Sequence, residues 1–250
     1  MPLLTCYHMR AMNITAIAKN FVNLLYPLHC AGCKKPLDPL SDSGVCTSCE
    51  AKIRSNPEPY CIKCGRAMPI PGDTCDECKK TRLYFSAARS ACLYEGVLKE
   101  LIHHFKYRGK IALSKIFSRR MADFLRSNAY IIDGIDLVTP VPMRKAQVMD
   151  RDFNHANVLA ANIAKASGIR FADTLEKHRA TRRQNELSRE ERLSNLTGAF
   201  MVKRGVLLSG LRLLLVDDVM TTGSTCSVCA KALLDAGCAE VRCLTLARGL

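Results

Sequence analysis

The chain has 250 residues, enough for one or two domains, and 48% of them are hydrophobic, which is ample for a packed core. No run of about 18 or more apolar residues is present, so we expect no membrane-spanning helix. The net charge of +14 favours a polyanionic partner, such as nucleic acid, a phosphorylated metabolite or an anionic membrane surface, although a generally basic surface without a dedicated partner is the alternative.

Residues 1–27 are predicted to be an N-terminal extension followed by a short helix. Apolar residues recur at helical spacing from Ile14 to Leu25, Asn13 can cap the helix, and Pro27 ends it. The pattern favours a helix that packs against the rest of the protein. An amphipathic helix lying on a membrane surface is the alternative.

Residues 28–82 form a cysteine-rich segment that we interpret as a double zinc ribbon. Two thiolates on one tight C-x-x-C turn can face the same metal ion, and two such turns complete a tetrahedral Cys₄ site for zinc. Because protein fills all four positions, such sites are structural. The segment holds eight of the 14 cysteines as four C-x-x-C pairs, namely Cys30 and Cys33, Cys46 and Cys49, Cys61 and Cys64, and Cys75 and Cys78.

A disulfide scaffold is the alternative for this segment, but it needs an oxidising compartment. The N-terminus shows no secretory signal, which predicts a cytoplasmic location and favours zinc. Sequential pairing, first pair with second and third with fourth, is the simplest assignment, whereas a cross-braced arrangement or a single remaining site stays open. Cys226 and Cys229 repeat the spacing without a second pair, so we interpret them as core residues.

Residues 83–250 alternate between helical and strand patterns. Their order predicts an α/β domain with a parallel sheet and helices on both faces. Apolar residues at helical spacing predict helices over 97–105 and 116–125. Two further helices are predicted over 154–167, closed by Gly168, and over 224–236, stopped by Gly237. The predicted strands span 136–141, 211–216 and 240–246.

The segment 213–225 is the most informative in the chain. An apolar run predicts a buried strand, Asp217 and Asp218 lie where it ends, and a short loop leads into the next helix. Backbone N–H groups of such a loop can cradle a phosphate, and carboxylates accept hydrogen bonds from ribose hydroxyls. A sugar phosphate is therefore the predicted ligand, and a plain strand, turn and cap with solvated aspartates is the alternative. The loop consists of Thr221, Thr222, Gly223, Ser224 and Thr225.

A charged stretch lies between Thr174 and Phe200 and includes Arg182 and Arg183. We interpret it as a cationic lid that closes over a bound phosphate and excludes water. A solvated hairpin or helix face is the alternative.

The segment 213–225 closely resembles the signature with which type I phosphoribosyltransferases bind 5-phosphoribosyl-1-pyrophosphate (PRPP). The resemblance implies that Asp217 and Asp218 bind the ribose 2′- and 3′-hydroxyls, and that Thr221 to Thr225 wrap the 5′-phosphate. It also implies a magnesium ion that bridges the pyrophosphate and the ribose hydroxyls.

From about Phe21 to the C-terminus, the chain resembles the ComF family of competence-associated, phosphoribosyltransferase-like proteins. The resemblance implies that the loop 142–154 binds pyrophosphate through Arg144, Lys145 and Arg151. Two positions depart from the family pattern, because Asp152 replaces a glycine and His155 a glutamine. The matching segments are Leu25-Tyr26-Pro27, Phe105-Lys106-Tyr107-Arg108-Gly109, Pro140-Val141-Pro142-Met143, Arg151-Asp152-Phe153-Asn154-His155-Ala156 and the lid region.

Three functions are compatible with these patterns. The family resemblance implies a protein that binds PRPP or a related sugar phosphate and handles single-stranded DNA during natural transformation, with proteins of the competence machinery as further partners. The alternative is an active phosphoribosyltransferase that makes a nucleotide from PRPP and a nucleobase or other acceptor. The third is a regulator that senses PRPP without turnover and uses its zinc ribbons to contact a partner. No acid or histidine is placed as a catalytic base, so catalytic residues stay unassigned.

Overall fold

The computed structural model describes residues 28–38, 41–72, 74–144, 148–149, 153–178 and 198–249. The predicted extension and helix of residues 1–27 lie outside the described residues, as does most of the predicted lid. The boundaries proposed for the zinc-ribbon segment and the α/β domain stay predictions.

A five-stranded sheet forms the centre of the described chain, and every neighbouring pair of its strands is parallel. The strand order is β1-β7-β6-β2-β3, and a separate antiparallel hairpin pairs β4 with β5. The strands are β1 Ala87–Leu93, β2 Leu137–Pro140, β3 Arg170–Phe171, β4 Leu175–Lys177, β5 Phe200–Val202, β6 Arg212–Met220 and β7 Glu240–Arg248.

Helices cover both faces of this sheet, as the sequence predicts. Side chains alternate along β6, so that Leu214 and Val216 face one hydrophobic cluster while Leu213 and Leu215 face the other. The first cluster contains α3, α4 and α5, and the second contains α6. The helices are α1 Thr47–Ala51, α2 Asp76–Lys80, α3 Gly96–Tyr107, α4 Leu113–Ser127, α5 His155–Ser167 and α6 Ser224–Asp235.

The predicted end of α5 at Gly168 is confirmed, and its start lies one residue later than predicted because Asn154 is its cap. The Asn154 side chain accepts a hydrogen bond from the backbone N–H of Ala156 at the start of the helix. Gly168 ends the helix in the left-handed conformation with φ of 70°. Asn154 also donates from Nδ2 to Val141 O at 3.2 Å, so α5 begins beside the carboxyl end of β2.

Strand β6 is longer than predicted, and this changes the position of the acidic pair. The strand continues to Met220, so Asp217 and Asp218 lie within it rather than after its end. The reason is that β7 runs on to Arg248 and pairs with β6 as far as Met220. Sequence patterns also missed β1, because Arg89 and Ser90 interrupt its apolar residues.

The two cysteine-rich ribbons pack on opposite faces of the sheet. The first ribbon contributes Cys30 and Cys49 to the cluster that contains α3 and α4. The second contributes Cys61 and Cys64 to the cluster that contains α6. The ribbons thus extend both cores. Among the described residues, no helix has the length and apolar character needed to cross a membrane.

Candidate functional site

The loop between β6 and α6 has the conformation that a phosphate-binding turn needs. Gly223 has φ of 79° and caps the 12-residue helix α6, a backbone conformation that favours glycine. The Ser224 backbone N–H donates to Thr222 Oγ1 at 3.3 Å, and the two hydroxyl oxygens lie 2.8 Å apart. The first N–H groups of a helix have no partner within it. The loop can therefore offer backbone and hydroxyl donors to one anion.

The acidic pair next to this loop is held by a cation from another element. Lys106 Nζ, on α3, lies 2.7 Å from Asp218 Oδ1, and only 9% of the Asp218 side chain is exposed. Burial acts to lower the pKa of Lys106, but the Asp218 carboxylate outweighs it and raises the pKa above its usual value. The ion pair with Lys106 therefore compensates the negative charge of Asp218 within the sheet.

Asp217 is in a different protonation environment. Its Oδ1 accepts the backbone N–H of Asp218 at 2.8 Å. Burial and the negative charge of Asp218 raise the pKa of Asp217 to about 7, and the charge of Lys106 opposes this only in part. The Asp217 carboxylate thus titrates near neutral pH. Its ionised form can accept a hydrogen bond from a hydroxyl group or bind a cation together with Asp218.

A cavity of about 940 Å³ lies between the loop after β2, the start of α5 and the β4–β5 hairpin. Arg144 and Lys177 both line it. Burial lowers the pKa of Lys177, and the charge of Arg144 adds to that effect, whereas the charge of Asp217 raises it. Arg144 is thus the predicted pyrophosphate-loop cation that the structure brings to this cavity. The candidates Lys145, Arg151, Arg182 and Arg183 lie outside the described residues and stay predictions.

The eight cysteines of the ribbon segment form two groups of four, paired in sequence. Within each group, the candidate ligand atoms all lie within 4.8 Å of one another. All eight are free thiols, so the described residues contain no disulfide scaffold here. Tetrathiolate groups of this kind fit structural zinc, and neither group leaves a position for a substrate. The groups are Cys30, Cys33, Cys46 and Cys49, and Cys61, Cys64, Cys75 and Cys78.

Backbone donors on the cysteine turns support thiolate ligands. The N–H of Cys46 donates to Cys30 Sγ at 3.3 Å, and the N–H of Cys75 donates to Cys61 Sγ at 3.3 Å. Burial acts to raise the pKa of the Cys30 thiol, but backbone N–H donors outweigh it and lower the pKa to about 6. A metal ligand must be the thiolate, so this environment prepares the site for zinc.

A basic patch lies at the end of α3, next to the first ribbon; its residues are Lys34, Lys35, His103, Tyr107, Arg108 and Lys110. All six are exposed, and the ring of Tyr107 lies 4.9 Å from that of His103. His104, buried beneath the patch, has Nε2 3.0 Å from Lys34 Nζ. Burial lowers the pKa of His104, and the positive charges of Lys34, Arg108 and Lys110 lower it further.

Sequence reasoning missed two cations at this edge of the sheet. The contact of Lys106 with Asp218 was not predicted, although Lys106 lies in a segment that carries the family resemblance. Arg248, at the end of β7, is 2% exposed and contacts the second ribbon. The sequence signal for it is the position of Arg248 directly after the mostly apolar run 243–247. An arginine that continues a buried strand needs an anionic partner.

The fold and the site together define a type I phosphoribosyltransferase-like domain joined to a double zinc ribbon. Residues 21–83 match the family model of the double zinc ribbon domain. Residues 154–250 match that of the phosphoribosyl transferase domain, which includes β6, its loop and α6.

Three curated relatives are similar to the chain over most of its length. DNA utilization protein YhgH of Salmonella typhimurium is 31% identical over 232 residues, which cover 91% of this chain and 100% of the relative. Competence protein ComFC of Bacillus subtilis is 28% identical, covering 83% and 85%. Competence protein F of Haemophilus influenzae is 27% identical, covering 92% and 99%. The chain belongs to the ComF family.

We predict that Lys106→Met destabilises the protein, because it leaves the Asp218 carboxylate buried without its cation. The expected loss in free energy of unfolding is about 3 kcal/mol, in the range for breaking one partner of a buried pair. The loss should be larger at about pH 8 than at about pH 6, since an unpaired buried carboxyl has a raised pKa and is protonated at lower pH. Urea unfolding at both pH values measures it.

The control for this prediction is the double variant Lys106→Met, Asp218→Asn, which removes both charges. It should recover most of the stability that the single variant loses. A double variant as unstable as the single one would contradict an electrostatic role for Lys106.

Proposed function

We propose that the protein binds PRPP or a related phosphosugar at the β6–α6 loop, and that it also binds single-stranded DNA through its basic surface. One observation carries the first part: β6 carries two carboxylates near its end, and the loop that follows supplies a glycine helix cap and two hydroxyl groups. This arrangement supports recognition of both ends of a 5-phosphoribose, its hydroxyls and its phosphate.

The residues at the loop suit the parts of this ligand. The ribose 2′- and 3′-hydroxyls would donate to Asp217 and Asp218, and the 5′-phosphate would accept N–H and hydroxyl donors from residues 221–225. A magnesium ion is suited to this site, because Mg²⁺ prefers one or two carboxylates together with phosphate oxygens. Arg144 would contact the pyrophosphate, with Lys145, Arg151, Arg182 and Arg183 as further candidates.

The basic patch supports the DNA part of the proposal. Its cations can neutralise successive phosphates, and Tyr107, 58% exposed, offers a ring on which a base can stack. The names of the curated relatives refer to DNA utilization and competence. We therefore propose a cytoplasmic role in natural transformation, with proteins of the competence machinery as further partners.

An active phosphoribosyltransferase is the second candidate function, and the cavity beside Lys177 favours it. Its volume of about 940 Å³ can hold an acceptor such as a nucleobase. The acceptor nucleophile would bond to the anomeric carbon of PRPP while the carbon–oxygen bond to pyrophosphate breaks and pyrophosphate takes the electron pair. Arg144 and Lys177 would stabilise the charge of the leaving group. Pyrophosphate release with an acceptor tests this candidate, and binding without release favours a PRPP sensor.

Calorimetric binding of magnesium and PRPP to the zinc-loaded protein tests the phosphosugar site. The variant Asp217→Asn, Asp218→Asn should bind on the order of 100-fold more weakly, because each lost charge-assisted hydrogen bond is worth about 1.5–3 kcal/mol. The matched control is Asp76→Asn, Asp235→Asn, which changes the charge equally on exposed helix ends and should bind like wild type. Equal affinity for all three proteins would show that Asp217 and Asp218 do not bind PRPP.

The affinity for PRPP should rise with pH, because the ligand hydroxyls donate to ionised Asp217. With the pKa of Asp217 raised to about 7, its ionised fraction increases about tenfold between about pH 6 and pH 8. The affinity should gain a similar factor. In Asp217→Asn this part of the pH dependence should disappear, while the titration of PRPP itself remains in both proteins. Parallel pH profiles for the two proteins would refute the role of Asp217.

Single-stranded DNA should bind with a strong salt dependence that the basic patch sets. In Arg108→Ala, Lys110→Ala, the slope of log K against log salt should flatten by about 1.4, or about 0.7 for each lost phosphate contact. Anisotropy of a labelled oligothymidine between about 50 and 200 mM salt measures it. The control Lys79→Ala, Lys80→Ala removes two cations from α2 and should keep the wild-type slope. Equal slopes in the two variants would place DNA on another surface.

A further inference from the structure

Arg248 is a buried cation with too few partners of its own. Only 2% of the residue is exposed, its Nη2 donates to Cys64 Sγ at 3.5 Å, and its Nε and Nη1 have no hydrogen-bond partner in the described part of the chain. A guanidinium stays charged in a protein interior. Such a group is stable only beside a compensating negative charge.

The thiol group of the second ribbon supplies that charge once it holds zinc. Four thiolates around Zn²⁺ carry a net charge of about −2. Cys64, Cys75 and Cys78 are the ligands whose charges act on Arg248, while the other nearby cation, Arg66, is already paired with Glu77 at 2.7 Å. The unpartnered nitrogens of Arg248 thus fit a zinc–tetrathiolate neighbour. Among the described residues, they have no other hydrogen-bond partner.

We propose that Arg248 is the buried counter-ion of the second zinc site and that this pair couples zinc occupancy there to the geometry of the phosphate loop. The functional consequence rests on the proposed phosphosugar binding. The charge pairing itself rests only on the contacts around Arg248.

The coupling has a short physical path. Arg248 pairs with Met220 in the register of β6 and β7, and the N–H of Gly249 donates to Met220 O at 2.9 Å. A Cβ on Gly249 would lie 2.8 Å from Thr221 Cγ2, so the backbone after Arg248 lies directly against the start of the loop. Movement of Arg248 would therefore displace the residues that lead into the phosphate turn.

The second ribbon is also fixed to β1 beside the same loop. A Cβ on Gly65 would lie 2.6 Å from Ala88 O, and the N–H of Ala88 donates to Lys63 O at 2.8 Å. Phe85, just before β1, lies 3.5 Å from the place of a Cβ on Gly223. The cysteine turn, the start of β1 and the loop glycine thus form one packed unit, and the metal site is part of it.

The first ribbon provides an internal comparison. Its arginine neighbour, Arg120, donates from Nη2 to Glu50 O at 2.8 Å and has the Glu50 carboxylate 3.8 Å away, so that of its buried nitrogens only Nε lacks a hydrogen-bond partner among the described residues. Arg120 therefore has a carboxylate partner that does not depend on metal. Its ribbon belongs to the hydrophobic cluster of the opposite sheet face. Zinc at the first site should have little influence on the phosphate loop.

The charge pairing is tested with Arg248→Met, which removes the charge but keeps an unbranched side chain, and with Arg248→Lys. Zinc content and the rate of zinc transfer to a chelator are measured on the full chain. Wild type should hold one zinc in each Cys₄ group. In Arg248→Met, one of the two ions should leave on the order of tenfold faster, as is typical when a residue that supports a metal ligand is lost. Arg248→Lys should be intermediate, and Arg120→Met should match wild type.

The coupling is tested by hydrogen exchange of residues 220–225, which needs no PRPP. Exchange should speed up in Arg248→Met and in Cys78→Ser, which disables the second site, but not in Cys33→Ser, which disables the first. PRPP affinity should fall in the same two variants. If Arg248→Met does not fold, the comparison of Cys78→Ser with Cys33→Ser tests the coupling, and zinc release from Arg248→Lys tests the charge pairing.

The outcomes separate this inference from the proposed function. Wild-type zinc release in both Arg248 variants would overturn the charge pairing. Unchanged loop exchange after loss of the second zinc would overturn the coupling, even if wild type binds PRPP. Faster loop exchange in a protein whose wild type binds no PRPP would leave the coupling standing and remove only the proposed ligand.

Discussion

The pairing of Lys106 with Asp218 is the interaction on which the candidate site depends. Two adjacent carboxylates within one strand of a packed sheet repel each other and lose hydration, so they require a nearby cation. Lys106, from the end of α3, supplies it at 2.7 Å. Burial and the charge of Asp218 raise the pKa of Asp217 to about 7, and Lys106 opposes this only in part. The candidate site therefore combines a carboxylate held in an ion pair with one that titrates near neutral pH, both close to the β6–α6 loop.

The zinc ribbons extend the two cores of the sheet rather than forming a core of their own. Zinc in a Cys₄ site contributes on the order of 10 kcal/mol to folding, enough to order a segment with few apolar residues. Each ribbon then adds buried cysteines to a different face of the α/β domain. This placement gives the two metal sites different neighbours: the basic patch lies next to the first, and the β6–α6 loop lies next to the second.

Features encoded by neighbouring residues could be predicted from the sequence. The C-x-x-C pairs, the end of α5 at Gly168 and the turn after β6 are of this kind, because each is a local backbone geometry with its own residue preferences. Contacts such as Lys106 with Asp218, and Arg248 with Cys64, join residues far apart in the chain, and no periodicity indicates them. The β4–β5 hairpin escaped because strands of three residues are too short for an alternation pattern.

The most direct test of the central claim is a ³¹P NMR titration of PRPP and magnesium with the zinc-loaded protein. If residues 221–225 hold the 5′-phosphate next to Asp217 and Asp218, the 5′-phosphate resonance should shift or broaden together with the pyrophosphate resonances. It should stay unperturbed in Asp217→Asn, Asp218→Asn. Perturbation of the pyrophosphate resonances alone, equal in both proteins, would show that PRPP binds only to exposed cations and would contradict a phosphoribosyl site at β6.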